Sequence, residues 1–154
     1  MPLQRDKRPL AADGYARIGR PVRLAQMGSS GGHAATRVLV VDDNWSIRLL
    51  CRVNLELEGH EVVEAHSLTA ARATLAEEDV DVVVLDVHLQ HERSDALVAE
   101  CHGRRPPIPV VLVTGSVELT DPRLREADAI LPKPFELDQL LSTVTNLAKV
   151  HAHR

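Results

Sequence analysis

At 154 residues with 44% hydrophobic side chains, the chain is long enough for one domain with a core of ordinary size. Its formal charge of −4 hides an asymmetry: residues 1–35 carry six Lys/Arg against Asp6 and Asp13, whereas the remainder carries twelve against twenty acidic residues. A net-acidic core argues against nucleic-acid binding, and no stretch reaches the roughly 20 apolar residues of a membrane span or follows the N-terminal charges as a leader segment, so the sequence reads as cytoplasmic with no membrane partner.

Residues 1–35 mix Pro, Gly, Ser, Ala and Arg without sustained periodicity and end in Gly28-Ser29-Ser30-Gly31-Gly32, a composition that predicts a flexible, disordered basic arm. Met27 directly precedes that linker and is an alternative start. From Arg37, buried-strand patterns alternate with amphipathic ones, the signature of a parallel sheet covered on both faces. The first strand is 37–41. Asn44 caps a helix whose Ile47, Leu50, Cys51, Val53 and Leu57 form the expected buried stripe, and Gly59 supplies its stop. A second strand spans 61–65, followed by a helix capped by Ser67 that buries Leu68, Ala71 and Leu75. The near-continuous apolar run Val80–Leu85 predicts a central strand, and 94–102 a third helix with Leu97 and Cys101 inward. Pro106, Pro107 and Pro109 introduce a fourth strand at 108–113, and 129–131 makes a short fifth. Between them Asp121-Pro122 starts at most a brief helix. The last helix carries a broad stripe of Leu137, Leu140, Leu141, Val144, Leu147 and Ala148. With only Tyr15, Trp45 and Phe135 aromatic, Val, Leu, Ile and Ala must fill the interior. Cys51 and Cys101 lack metal or redox spacing and read as reduced, partly buried thiols.

Chemistry-bearing residues collect at strand ends. Asp42-Asp43 closes the first strand, Asp86 the third, and Lys133-Pro134 follows the fifth, which is where open parallel α/β sheets build their sites. Three carboxylates converging there repel one another, so the site calls for a divalent cation, and the lysine adds a second positive charge. That combination suits phosphoryl transfer. Taken singly, Asp-Asp-Asn is equally an ordinary strand-to-helix cap and a lone lysine an ordinary surface charge. The eight histidines have no ligand spacing, although His88 and His91 share one loop.

Four segments in order, Arg37-Val38-Leu39-Val40-Val41-Asp42-Asp43-Asn44, Val83-Val84-Leu85-Asp86, Val110-Val111-Leu112-Val113-Thr114-Gly115 and Leu131-Pro132-Lys133-Pro134-Phe135, resemble the CheY-like receiver domain of two-component response regulators over about residues 36–150. The resemblance implies a flavodoxin-like, doubly wound α/β fold of about five helices around a five-stranded parallel sheet in the order 2-1-3-4-5. It implies Asp86 as phosphoacceptor for a histidine kinase or phosphotransfer protein. It further implies Mg²⁺ held by Asp43, by Asp42 through water, by Asp86 and by the backbone carbonyl of His88. Lys133, the Thr114 hydroxyl and the Gly115 amide would take the phosphoryl oxygens, and the Lys133–Pro134 peptide would be cis. Such a chain is no enzyme beyond its own phosphorylation and dephosphorylation. Nothing like an output domain follows residue 150, only a tail at 151–154, so the expectation is a stand-alone receiver that signals to a downstream protein by contact, or serves as phosphorelay intermediate or phosphate sink.

Departures from the family pattern qualify that expectation. Gln90 and Ser94 replace the usual Pro and Gly after the aspartate, Ile130 replaces the switch aromatic, and the segment from Thr114 to Glu126 is short. The coupled threonine–aromatic switch cannot run in its usual form, so activation is expected to reorder 115–125 and the adjoining face of strand five and the last helix, while His88 tunes phosphate lifetime. A pseudo-receiver that has lost phosphorylation is the alternative. A haloacid-dehalogenase-like phosphohydrolase also uses a strand-end aspartate, but it wants a second Asp where this chain has His88.

Overall fold

The computed structural model describes residues 35–89, 94–115 and 122–152. Five strands, β1 (Arg37–Val41), β2 (Glu61–Ala65), β3 (Val82–Asp86), β4 (Val110–Thr114) and β5 (Ala129–Pro132), form one parallel sheet in the order β2-β1-β3-β4-β5. Four α-helices accompany them: α1 (Trp45–Leu57), α2 (Leu68–Glu77), α3 (Ser94–His102) and α4 (Leu137–Ala152). A five-residue 3₁₀ turn, Pro122–Glu126, stands between β4 and β5, so the helices number four rather than five among the described residues. α4 continues through Ala152, and the expected tail beginning at residue 151 is therefore helical at its start. The proposed disordered arm lies outside the described residues.

The period-two geometry of a strand sends alternate side chains to opposite faces. Leu39, Val41, Val83, Leu85, Val110 and Leu112 pack with α2 and α3 through Leu68, Ala71, Leu75, Leu97, Val98 and Cys101. Val38, Val40, Val82, Val84, Val111 and Val113 pack with α1 and α4 through Cys51, Leu55, Leu140 and Val144. β3 and β4 are buried at every position, which is why their sequences run apolar without alternation. Burial also pushes both the Cys51 and Cys101 thiols up to about 11, so neither is a reactive thiolate.

Local signals place the helix ends. Asn44 accepts the Ser46 N–H at 2.9 Å and Ser67 accepts the Ala70 N–H at 3.1 Å, each satisfying an otherwise orphaned helix donor. Gly59, at φ 87°, takes the left-handed conformation that ends α1. β4 begins at Val110 rather than Ile108 because Pro109 has no N–H to donate. β3 begins at Val82, two residues later than the apolar run.

The buried stripe of α1 differs from its expectation. Cys51 and Leu55 are buried and Ile47 packs against the same cluster, whereas Leu50, Val53 and Leu57 face solvent together with Trp45 and Leu49. Apolar residues lie on both flanks of this helix, so periodicity alone could not choose which flank meets the sheet. The assignment is testable by truncation. Leu140→Ala, which empties a fully buried site between α4 and the sheet, should cost about 3 kcal/mol in urea unfolding. Leu57→Ala, at a position 79% exposed, should change stability by less than about 0.5 kcal/mol.

Candidate functional site

The site forms where β1 leaves the sheet. β1 and β3 pair last at Val41↔Leu85, and beyond that point Asp42 is held by its own neighbours. Its N–H donates to the Ala65 carbonyl at 3.1 Å, and its Oδ1 accepts the Asn44 N–H at 2.9 Å. Asp42 is 3% exposed and Asp86, one strand over, is 4% exposed, while Asp43 faces solvent. Asp86 is gripped at both oxygens. The His88 N–H donates to Oδ1 at 3.0 Å, and Lys133 Nζ lies 3.3 Å from Oδ2 and 3.6 Å from Asp42 Oδ2.

Lys133 reaches this position because β5 ends at Pro132, which pairs with Thr114, and the Lys133 N–H donates to the Thr114 carbonyl at 2.6 Å. The Lys133–Pro134 peptide is cis, as the resemblance implied. Thr114 is buried at the end of β4, and Gly115 beyond it is exposed, with open space where a Cβ would stand. The His88 imidazole is exposed, and its backbone N–H reaches the Asp86 carboxylate. His91 lies outside the described residues.

Burial pushes the Asp42 carboxyl above the usual carboxylate range, and the nearby charges of Asp86 and Asp43 push the same way. The Asn44 N–H and the Lys133 ammonium oppose the shift without cancelling it. Asp42, Asp43 and Asp86 each offer an oxygen within 4.8 Å of the others, the single such group of His, Cys, Asp and Glu among the described residues. The donor set is all hard oxygen with one member open to water, which fits Mg²⁺, a cation that keeps several waters and takes few protein carboxylates.

Two supporting residues escaped the sequence reading. Arg48 Nη1 donates to the Asp42 carbonyl at 2.7 Å while its Nε bonds Glu64 on β2 at 3.3 Å, so one guanidinium ties the acidic turn to the neighbouring strand. The available signal was its place in the first turn of α1, because helical side chains lean toward the N-terminus and hence toward the strand ends. Ser94 Oγ lies 3.0 Å from the Asp86 carbonyl and 3.2 Å from that of Val87. Its position was noticed only as a departure from glycine.

A doubly wound sheet thus carries an acidic triad and a lysine across its strand ends. Residues 38–145 match the family model described as the response regulator receiver domain. The chain is 35% identical over 117 residues to the response regulator FleR of Pseudomonas aeruginosa and 36% over 118 to an NtrX-like response regulator of Rickettsia conorii, spanning 74% and 73% of itself and 25% of each relative. Against the response regulator MprA of Mycobacterium tuberculosis it is 29% identical and spans 51% of that protein. The chain thus spans a quarter to a half of the length of these relatives. Among solved structures, a CheY-like receiver domain from Methanospirillum hungatei superposes with a TM-score of 0.71 at 26% identity, covering 78% of this chain and 98% of that one. TrrA from Thermotoga maritima, solved in complex with Mg²⁺-BeF, superposes with a TM-score of 0.67 at 27% identity, covering 73% and 98%. The chain belongs to the response regulator receiver domain family.

Because the folded Asp42 holds its proton more tightly than the unfolded chain does, its ionised form weakens the fold above that raised pKa, and the penalty vanishes on acidification. Asp42→Asn keeps an oxygen for the Asn44 N–H and removes the charge. In EDTA at neutral pH it should stabilise the protein, with variant and wild type converging as pH falls through the Asp42 titration, as read by thermal unfolding.

Proposed function

We propose that Asp86 accepts a phosphoryl group from the phosphohistidine of a histidine kinase or phosphotransfer protein in the cytoplasm. The observation that carries this reading is the placement of Lys133 Nζ against both Asp86 Oδ2 and Asp42 Oδ2. A carboxylate nucleophile needs no separate base, and here the His88 N–H and the Lys133 ammonium orient it. An Asp86 oxygen attacks phosphorus, the P–O bond forms as the P–N bond breaks, and the departing imidazole takes a proton from solvent. Lys133 neutralises one phosphoryl oxygen, and the Thr114 hydroxyl and Gly115 amide accommodate another. Asp42, Asp43, Asp86 and the His88 carbonyl would hold Mg²⁺, which when bound supplies the charge neutralisation that lets a phosphoryl group approach three carboxylates. The exposed His88 imidazole, two residues beyond Asp86, would tune attack by water on the aspartyl phosphate.

The chain acts only on itself and signals by protein contact or by passing the phosphoryl group onward. Ile130, half-buried against the α2–α3 side of the core, stands where the family carries its aromatic, so the signal leaves through the segment between β4 and β5 and the adjoining β5–α4 face rather than by ring rotation. A donor protein that covers the site also meets the exposed apolar flank of α1, which starts at Trp45, two residues beyond Asp43.

Incubation with acetyl phosphate and Mg²⁺ followed by intact mass should add one phosphoryl group to the wild type and none to Asp86→Asn. Full labelling of Asp86→Asn would refute the assignment, and an unlabelled wild type would leave a pseudo-receiver. With any histidine kinase that labels the wild type, Leu49→Glu should slow transfer by at least about tenfold, a change of roughly 1.4 kcal/mol, while labelling by acetyl phosphate is unchanged. Equal slowing with both donors would place the defect in the site instead of the docking face.

A further inference from the structure

Past the last rungs of the ladder, the backbone at Asp86 and Val87 is held from two sides. The Val87 N–H still donates to the Val113 carbonyl at 3.0 Å, but β1 has already turned away after Val41↔Leu85. Ser94, 6% exposed at the start of α3, brings its hydroxyl to the Asp86 carbonyl at 3.0 Å and the Val87 carbonyl at 3.2 Å. A hydroxyl has a single proton, which the two carbonyls share.

The geometry matters because a peptide unit is a rigid plane. The Asp86 carbonyl and the Val87 N–H belong to one plane, pinned by Ser94 at one edge and by Val113 at the other. The Val87 carbonyl and the His88 N–H belong to the next, and that N–H lies 3.0 Å from Asp86 Oδ1. A hydroxyl on the Val87 oxygen therefore sets the direction of the hydrogen that orients the carboxylate. Receivers resembling this chain usually have glycine at this place, which offers no such group.

We infer that Ser94 is a positioning residue for phosphoryl acceptance, its hydroxyl fixing the Asp86–His88 turn so that the His88 N–H presents the Asp86 carboxylate in one orientation. The inference rests on the reading of Asp86 as acceptor. Ser94 Oγ is bonded to the Asp86 and Val87 carbonyls, so it acts through the backbone. A misaimed nucleophile loses rate without losing affinity for the donor.

The test is Ser94→Ala, which removes one oxygen and suits a helix start. With acetyl phosphate at saturating Mg²⁺, its maximal labelling rate should fall about tenfold while the half-saturating donor concentration stays within about twofold. In the metal-free protein, amide exchange at His88 should quicken several-fold, with the β3 amides of 82–85 unchanged. A variant that labels at the wild-type maximal rate overturns the inference, as does a His88 amide whose exchange does not change. If the wild type itself takes no label on Asp86, the acceptor reading has failed and the inference falls with it, a result separable from the other two because it needs no variant.

Discussion

Mutual repulsion among three carboxylates is the constraint around which this molecule is arranged. Asp42, Asp43 and Asp86 offer oxygens within 4.8 Å of one another, two of the three are buried, and no arrangement of an apolar core makes such a cluster favourable. The fold tolerates it through a two-layered core on either face of the sheet and through a tether at each site element. Backbone N–H groups of Asn44 and His88 take one oxygen each, Arg48 holds the Asp42 carbonyl, and Lys133 stands between the two buried carboxylates. The protein leaves part of the repulsion unrelieved, which gives a cation its reason to bind.

What the sequence shows well is whatever depends on strand ends. Buried strands are continuous apolar runs, and a charged residue closing such a run lies at the sheet's C-terminal edge in any parallel α/β fold, so Asp42, Asp86 and Lys133 could be placed in one region before any contact was known. The caps at Asn44 and Ser67 and the stop at Gly59 were legible for the same reason, since each satisfies a local backbone requirement. The rotational phase of α1 was not, because Leu49, Leu50, Val53 and Leu57 are as apolar as the Cys51 and Leu55 that meet the sheet. Tethers running from side chain to distant carbonyl, as at Arg48 and Ser94, leave no periodic trace at all.

Among the described residues, the crossover from β4 to β5 carries a 3₁₀ turn that is tied to both sides of the join. Leu124, buried against the α2–α3 side of the sheet, anchors the turn Pro122–Glu126. Asp128 reinforces the join: its carboxylate accepts the Val110 N–H at 2.8 Å and lies 2.8 Å from His102 Nε2 at the end of α3. The end of the crossover that leads into β5 is thus firmly attached.

Trp45 gives this architecture an optical property. It is the sole tryptophan of the chain, 66% exposed, and begins α1 two residues beyond Asp43. An indole two residues along the chain from Asp43 would meet a changed local field if a cation or a phosphoryl group bound at the acidic cluster. Its emission is therefore the intrinsic signal with which to follow any occupant of the pocket, with no background from a second indole.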